Sequence, residues 1–222
     1  MKKIAVDGPS GAGKSTMVKA LAEKYGFLYV DTGALYRAAG LFAIRRGVPR
    51  ERIGELIPLL PELHVGLSHD GEGQHVFLDG EEVTGLIRMP EVSLYASAAS
   101  ALPAVRDKLL DLQRDLAKEY DVIMDGRDIG TAVLPDAELK IFLTASPEER
   151  ARRRYIELRD KGMDVDYGDT LRQILERDHN DSTRAFRPLR PAEDAVIVDT
   201  TGKNIEETVK LLSELVEERF GL

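Results

Sequence analysis

GPSGAGKST, residues 8–16, follows directly on the apolar run Ile4-Ala5-Val6 and precedes a segment in which Met17, Val18, Leu21 and Tyr25 fall at helical spacing. Glycine supports neither strand nor helix well, because it loses the most conformational freedom on ordering. Three glycines and a lysine at a strand-to-helix junction therefore need a reason. The spacing GxxxxGKS, with Gly8, Gly13, Lys14 and Ser15 at its fixed positions, is that of a phosphate-binding P-loop. Its glycines let successive backbone N–H groups turn inward. The stretch Gly8, Pro9, Ser10, Gly11, Ala12, Gly13, Lys14, Ser15 and Thr16, with the helix N-terminus that follows, then surrounds phosphate oxygens with donors. Lys14 reaches the β and γ phosphates of a nucleoside triphosphate, and Ser15 places its hydroxyl on Mg²⁺.

The rest of the composition narrows the partners. A chain of 222 residues with 43% hydrophobic content can build one large domain, or a domain carrying a small insertion. It contains no cysteine, which excludes a disulfide framework, a thiolate metal site and a thiol nucleophile, and fits the cytoplasm. The three-residue apolar run near the N-terminus is too short for a signal peptide, and no stretch approaches membrane-spanning length. The net charge of −8 opposes long-range attraction to DNA, RNA or an anionic membrane. A soluble monomer that acts on small molecules is expected. A few arginines converging on one cleft still suit a phosphorylated ligand whatever the overall sign.

Outward from the loop, the chain alternates. Strands are expected at residues 2–7, 27–30, 120–124, 139–143 and 195–198, with helical spacing at Leu35, Ala38 and Phe42, and again at Val105, Leu109, Leu112 and Leu116. Pro147 opens an arginine-rich helix, residues 170–178 form another, and 179–194 is polar and proline-bearing. The closing helix has Asn204 as cap with Glu207 three residues on, and a buried stripe of Ile205, Val209, Leu212, Val216 and Phe220. Between about 63 and 85 the period changes: Leu63, Val65 and Leu67 alternate, SHDGEGQ reads as a turn, and Val76 and Leu78 alternate before Asp79-Gly80, a strong hairpin signal. This predicts an α/β fold in which a P-loop NTPase-like parallel five-stranded sheet is flanked by helices, with a small inserted three-stranded antiparallel sheet. Ligands on such sheets gather at the carboxyl ends of the strands, where Gly8, Asp31 and Asp125 all fall.

Three further clusters lie at that edge. They are residues 31–37 (DTGALYR), residues 125–128 (DGRD), and Arg177, Asp181 and Arg184. Each mixes arginine with carboxylate. Arginine forks suit phosphate dianions, whereas carboxylates accept from hydroxyl and amino groups and would repel a bare phosphate. Together they describe a phosphorylated acceptor that also carries hydroxyl or amine donors, and a nucleoside monophosphate meets that description. Arg150, Arg153 and Arg154, at i, i+3 and i+4, present three guanidinium groups on one helix face, as in a lid over a transferring phosphoryl group. Asp125, at a strand end, suits Mg²⁺ held through water.

The combination DGPSGAGKS, DTGALYR, DGRDIGT, SPEERARRR and ERDxxDSTR, in that order over nearly the whole chain, resembles the bacterial cytidylate kinase family, which carries a short three-stranded insertion in its monophosphate-binding region. The resemblance implies ATP-dependent phosphorylation of CMP and dCMP. It implies that Arg37 and Arg127 hold the acceptor phosphate, with Thr32 and Tyr36 beside them, and that Ser97, Arg106 and Asp128 read the cytosine edge. Ser93 and Ser100 share the run around Ser97, and either can be its counterpart. Arg177 and Asp181 resemble the ribose-binding pair, with Arg184 in the phosphate network. The kinase reading divides the chain into a core (1–32, 104–146 and 186–222), a monophosphate-binding region (33–103) and a lid (147–185).

Phosphoryl transfer asks little covalent help of a protein, only in-line alignment and neutralised charge. Lys14, Mg²⁺ and the lid arginines Arg150, Arg153 and Arg154 serve that, and no general base is required because the acceptor is already a phosphate oxygen. His64, His69 and His75 fall in the inserted sheet without zinc spacing, and are read as surface residues. A GTP-binding switch would need an NKxD-type sequence, which does not occur. A kinase of another small metabolite stays open on the loop and arginines alone.

Overall fold

The computed structural model describes residues 1–71 and 73–222. Strand β1 (Lys3–Asp7) is apolar on both faces and is buried from Ile4 onward. Helix α1 (Lys14–Tyr25) follows the phosphate loop, and Gly26 stops it in the left-handed conformation at φ 71°. Strand β2 (Leu28–Asp31) leads into α2 (Thr32–Arg45), with Asp31 as cap accepting from the Ala34 N–H at 3.1 Å. A run of tight 3₁₀ turns covers Arg50–Glu62, with a kink at Arg52, where the backbone is non-helical, and with Pro58 and Pro61 inside it. The inserted strands β3 (Val65–Asp70), β4 (Gly73–Leu78) and β5 (Glu81–Glu82) come next, then α3 (Pro90–Ser100) and α4 (Pro103–Glu119). Strand β6 (Val122–Gly126), a single wide turn at Ile129–Val133, β7 (Leu139–Thr144), α5 (Pro147–Asp160), α6 (Tyr167–Thr183), β8 (Val196–Asp199) and α7 (Ile205–Phe220) complete the chain.

The five-stranded parallel sheet runs in the order β2-β6-β1-β7-β8. β1 is central, in register with β6 from Lys3↔Val122 to Asp7↔Gly126 and with β7 from Ile4↔Leu139 to Asp7↔Phe142. Its near-continuous apolar composition follows from being covered on both faces. The three inserted strands form the antiparallel sheet β3-β4-β5. Its Asp79-Gly80 turn has φ 52° and 85°, the primed geometry that matches strand twist. The expected fold class is therefore found.

The chain divides into two compact units, residues 1–28 with 120–222, and residues 29–119. In the first, α1 packs on α7, with the Phe27 and Phe220 rings 6.1 Å apart, and α7 begins with a capping box between Asn204 and Glu207. In the second, Leu35, Ala38, Phe42, Leu56, Leu60, Val76, Leu78, Val92, Val105 and Leu109 share one apolar cluster. There α2 and α3 approach until a Cβ at Gly40 would lie 2.7 Å from the Ala96 nitrogen. Small residues at that crossing let the two backbones meet.

Several local expectations shift. Helix α6 runs to Thr183 and so includes residues expected in the polar segment, because the stretch after Asp178 carries no proline before Pro188. Helix α3 and the 50–62 turns carry too weak a periodicity to be expected. Ile205 is 57% exposed and does not belong to the buried stripe of α7, since it stands at the first helical position. The histidines are not simply surface residues. His64 is exposed, but the His69 ring contacts the Tyr29 carbonyl oxygen at 3.0 Å, and the His75 ring bridges Asp70 and Glu82 at 3.0 and 2.8 Å. Most of the SHDGEGQ stretch, expected as a turn, is strand: Ser68, His69 and Asp70 end β3, Gly73 and Gln74 begin β4, and Glu72 lies outside the described residues.

β1 leaves the sheet at Gly8, where φ is 149° and a Cβ would fall 1.9 Å from the Leu143 carbonyl oxygen of β7. Only a glycine fits where the loop brushes a backbone oxygen at that φ. Gly8→Ala is expected to cost at least about 2 kcal/mol, lowering Tm by roughly 4–8 °C; an unchanged melting curve would contradict the close approach.

Candidate active site

In the first unit, the phosphate loop lies between the ends of β1 and β6. The Lys14 ammonium is buried and donates to the carbonyl oxygens of Gly8 and Pro9, each at 2.8 Å. Burial pulls its pKa well below the ordinary lysine range, and the nearby Arg127 and Arg177 cations pull it further, against Asp125 and Asp7. A polyanion above the loop would relieve that cost. Ser15, in the first turn of α1, donates to Asp125 Oδ2 at 2.8 Å, so the two oxygens expected at a hard cation are already neighbours. Gly13 caps α1 at φ 88°, and a Cβ at Gly11, where φ is 76°, would stand 3.1 Å from the Arg150 Cβ.

The arginines expected to form a lid do not float free. Ser146 caps α5, with its side chain accepting from the Glu149 N–H, and Pro147 opens the helix. The buried Arg150 guanidinium donates to Ala145 O at 2.8 Å and Ser10 O at 3.2 Å, and pairs with Asp178 at 2.6 Å. Arg153 donates to Thr200 Oγ1 and O at 3.1 and 2.8 Å and pairs with Glu149. Arg154 turns to Glu157 at 2.8 Å. From α6, Arg177 donates to Ser10 Oγ at 3.3 Å, so Ser10 takes an arginine on its carbonyl and another on its hydroxyl. Two helices are thereby tied to the phosphate loop.

Asp181, also on α6, collects cations. Arg127 Nε donates to its Oδ2 at 2.9 Å, and Arg177 and Arg184 approach to 4.0 and 3.9 Å. Burial alone would raise the Asp181 pKa, but the three guanidinium groups outweigh it and the net shift is downward. Asp128 is buried beside Arg127, and its carbonyl oxygen accepts from Ala132 and Val133 in the wide turn.

In the second unit, α2 carries Thr32 and Tyr36 one turn apart, with Arg37 alongside. Arg106, on α4, is buried; its guanidinium lies over the Tyr36 ring at 5.1 Å, donates to the Tyr36 hydroxyl at 3.3 Å and holds Ser100 O at 2.7 Å. Ser97 sits half-buried on α3, while the Ser93 and Ser100 hydroxyls are turned back to main-chain oxygens of Met89 and Ser97. The first unit thus groups Lys14, Ser15, Asp125, Arg127, Arg150, Arg177, Asp181 and Arg184, and the second groups Tyr36 with Arg106.

Sequence reasoning passed over three residues. Asp7 is buried at the end of β1 and accepts the N–H groups of Ile129 and Gly130, both at 2.8 Å, so it holds the loop that carries Arg127 and Asp128. The signal was a carboxylate ending an apolar strand. Asp178 is the aspartate beside Arg177 in the ERDxxDSTR stretch, where the expected roles fall only on Arg177, Asp181 and Arg184, and Thr200 follows β8 with no motif of its own.

Residues 4–218 match the family model described as cytidylate kinase. A cytidylate kinase of Caldicellulosiruptor saccharolyticus is 51% identical over 223 residues, covering 100% of this chain and 99% of its own. One of Pelotomaculum thermopropionicum is 53% identical over 210 residues, covering 94% and 93%. A solved structure of an uncharacterised protein from Eubacterium ventriosum superposes with a TM-score of 0.55 at 13% identity over 99% of this chain and 100% of that one, a likeness of fold.

Burial pushes the Asp7 carboxyl up from 3.8 to about 6, against its two backbone hydrogen bonds. A carboxyl whose folded pKa is raised favours the fold in its protonated form. That contribution, about 3 kcal/mol at most, is complete below pH about 4 and gone above pH about 6. Melting temperatures measured from pH 4 to 7 should fall more steeply for the wild type than for Asp7→Asn, and parallel curves would refute the shift.

Proposed function

The chain belongs to the cytidylate kinase family, and from that premise we propose that it transfers the γ-phosphoryl group of ATP to CMP and dCMP, giving ADP with CDP or dCDP. The observation that carries the reading is the P-loop at the end of the central strand, with Lys14 inside it and Ser15 bonded to Asp125. The backbone amides of residues 8–16 and the Lys14 ammonium bind the donor phosphates.

The donor set fits Mg²⁺. Ser15 Oγ and Asp125 Oδ2 are two hard oxygens 2.8 Å apart beside the phosphate loop. That suits a cation that keeps its waters and takes phosphate oxygens for the rest. Ser15 would hold it directly and Asp125 through water; bound there, it neutralises charge on the donor phosphates.

On the acceptor side, Arg37 and Arg127 grip the monophosphate with Thr32 and Tyr36 beside them. Ser97, Arg106 and Asp128 read the cytosine edge, and Arg177 and Asp181 take the ribose, with Arg184 in the phosphate network. The buried Arg106 supports this reading, because its guanidinium is pinned by Ser100 and Tyr36 and so is presented in one orientation. Residues 147–185 act as the lid. Within it Arg150, Arg153 and Arg154 supply positive charge to the transferring group, and the contacts of Arg150 and Arg177 to Ser10 support a lid that engages the donor loop. The working unit is one chain in the cytoplasm that binds small nucleotides and not nucleic acid, in keeping with the charge of −8.

A coupled ADP-release assay over CMP, dCMP, UMP, AMP, GMP and shikimate should give turnover with the two cytidine monophosphates above all others; equal turnover with shikimate would overturn the reading. Lys14→Ala should lose at least about 10³-fold in kcat with little change in Tm. Asp181→Ala should raise KM for CMP about tenfold or more, and an unchanged KM would remove its role in ribose binding.

A further inference from the structure

The inserted antiparallel sheet has no part in the proposed chemistry, yet it touches the main chain where the acceptor residues begin. β2 is an edge strand of the five-stranded sheet, so one row of its backbone groups has no neighbouring strand. Two side chains of the insertion occupy that row. Gln74 accepts from the Asp31 N–H at 2.8 Å and donates back to the Asp31 carbonyl oxygen at 3.2 Å, while the His69 ring donates to the Tyr29 carbonyl oxygen at 3.0 Å. Tyr29 and Asp31 are two apart, which is the spacing of groups pointing to the same edge of a strand. Gln74 and His69 are themselves directly opposite each other across the β3–β4 ladder.

On the same face the next cross-strand rows are Leu67 with Val76 and Val65 with Leu78, which belong to or pack on the apolar cluster of this unit. Two rows of the face are thus spent on the core. The third is polar where it meets the backbone edge of β2. Burial lowers the His69 pKa, which keeps the ring neutral and leaves Nε2 as the donor to the carbonyl.

We propose that Gln74, with His69, is a positioning residue for the acceptor nucleotide: its amide stands in for the missing strand and fixes Asp31, the residue from which α2 and its Thr32, Tyr36 and Arg37 depart. Asp31 is held on every side. Its main chain is clamped by Gln74, its Oδ1 accepts from Ala34 N–H, and its Oδ2 pairs with Arg88 at 3.2 Å. The angle at which α2 leaves β2 therefore depends on a residue of the inserted sheet about forty positions away. A primary amide suits the task because it offers an acceptor and a donor side by side, matching one residue's N–H and C=O. A carboxylate offers two acceptors and no donor, so it would set an anionic oxygen against the lone pairs of the Asp31 carbonyl.

The inference rests on the acceptor roles given above to Thr32, Tyr36 and Arg37, and the test separates the two. Gln74→Leu, Gln74→Glu and Arg37→Ala are compared with the wild type by steady-state kinetics in CMP and in ATP, alongside thermal melting. Both Gln74 variants are expected to raise KM for CMP about five- to tenfold while KM for ATP stays within twofold and Tm within a few degrees. Should Gln74→Leu fail to fold, Gln74→Glu, which keeps size and polarity, decides. An unchanged KM for CMP in the Gln74 variants while Arg37→Ala raises it, or equal rises for CMP and ATP with a large fall in Tm, overturns the positioning role and leaves the acceptor assignment standing. An unchanged KM for CMP in Arg37→Ala overturns the acceptor assignment itself.

Discussion

Everything in the first unit depends on β1 being the central strand. Hydrogen-bonded to β6 on one side and β7 on the other, it delivers Asp7 and Gly8 to a fixed point at the carboxyl edge of the sheet. The chain then passes so close to the Leu143 carbonyl oxygen that no side chain is tolerated at Gly8. The parallel register does the rest. Because Asp7 is level with Gly126, the end of β6 lies beside the start of the phosphate loop, and Asp125 meets Ser15 across that gap. A carboxylate 110 residues away in sequence becomes a neighbour of the loop hydroxyl through backbone register alone.

Around that point the electrostatics run against the character of the whole chain. The protein carries a net charge of −8, yet Lys14, Arg127, Arg150, Arg177 and Arg184 gather in one unit around Asp125, Asp178 and Asp181. Burial first, and the nearby cations after it, make the charged form of Lys14 costly, while the guanidinium groups keep Asp181 ionised against its own burial. That imbalance is what a bound phosphate would correct, and it is local enough to survive an acidic surface elsewhere. The same carboxylates keep the guanidinium groups in set orientations, with Arg150 and Arg177 also bonded to Ser10.

The second unit solves a different problem. Its helices bury an apolar cluster between them, and the inserted sheet closes one side of it with Val76 and Leu78. A small antiparallel sheet has little stability alone, and here two of the three β3–β4 rows on one face, Leu67 with Val76 and Val65 with Leu78, pack on or belong to the apolar cluster. The remaining polar row at the edge of β2 gives the insertion its second task.

The sequence by itself determined the elements and the donor chemistry. The GxxxxGKS spacing, the period of 3.6 in α1, α4 and α7, the period of 2 at residues 63–85 and the Asp79-Gly80 turn are local signals, since each depends on residues within one or two turns of one another. Fold class, phosphate loop and hairpin followed from them. Weakly patterned stretches did not: α3 is an alanine- and serine-rich helix with a diffuse apolar face, and the end of α6 has no capping signal. Only the tertiary structure decided where the polar side chains of that framework spend their hydrogen bonds. Asp7 on the Ile129 and Gly130 amides, Arg150 on Asp178, and Gln74 on Asp31 join residues 122 and 123, 28, and 43 positions apart. No spacing rule reaches that far, because such pairs are set by strand order and by which backbone groups burial leaves without a partner.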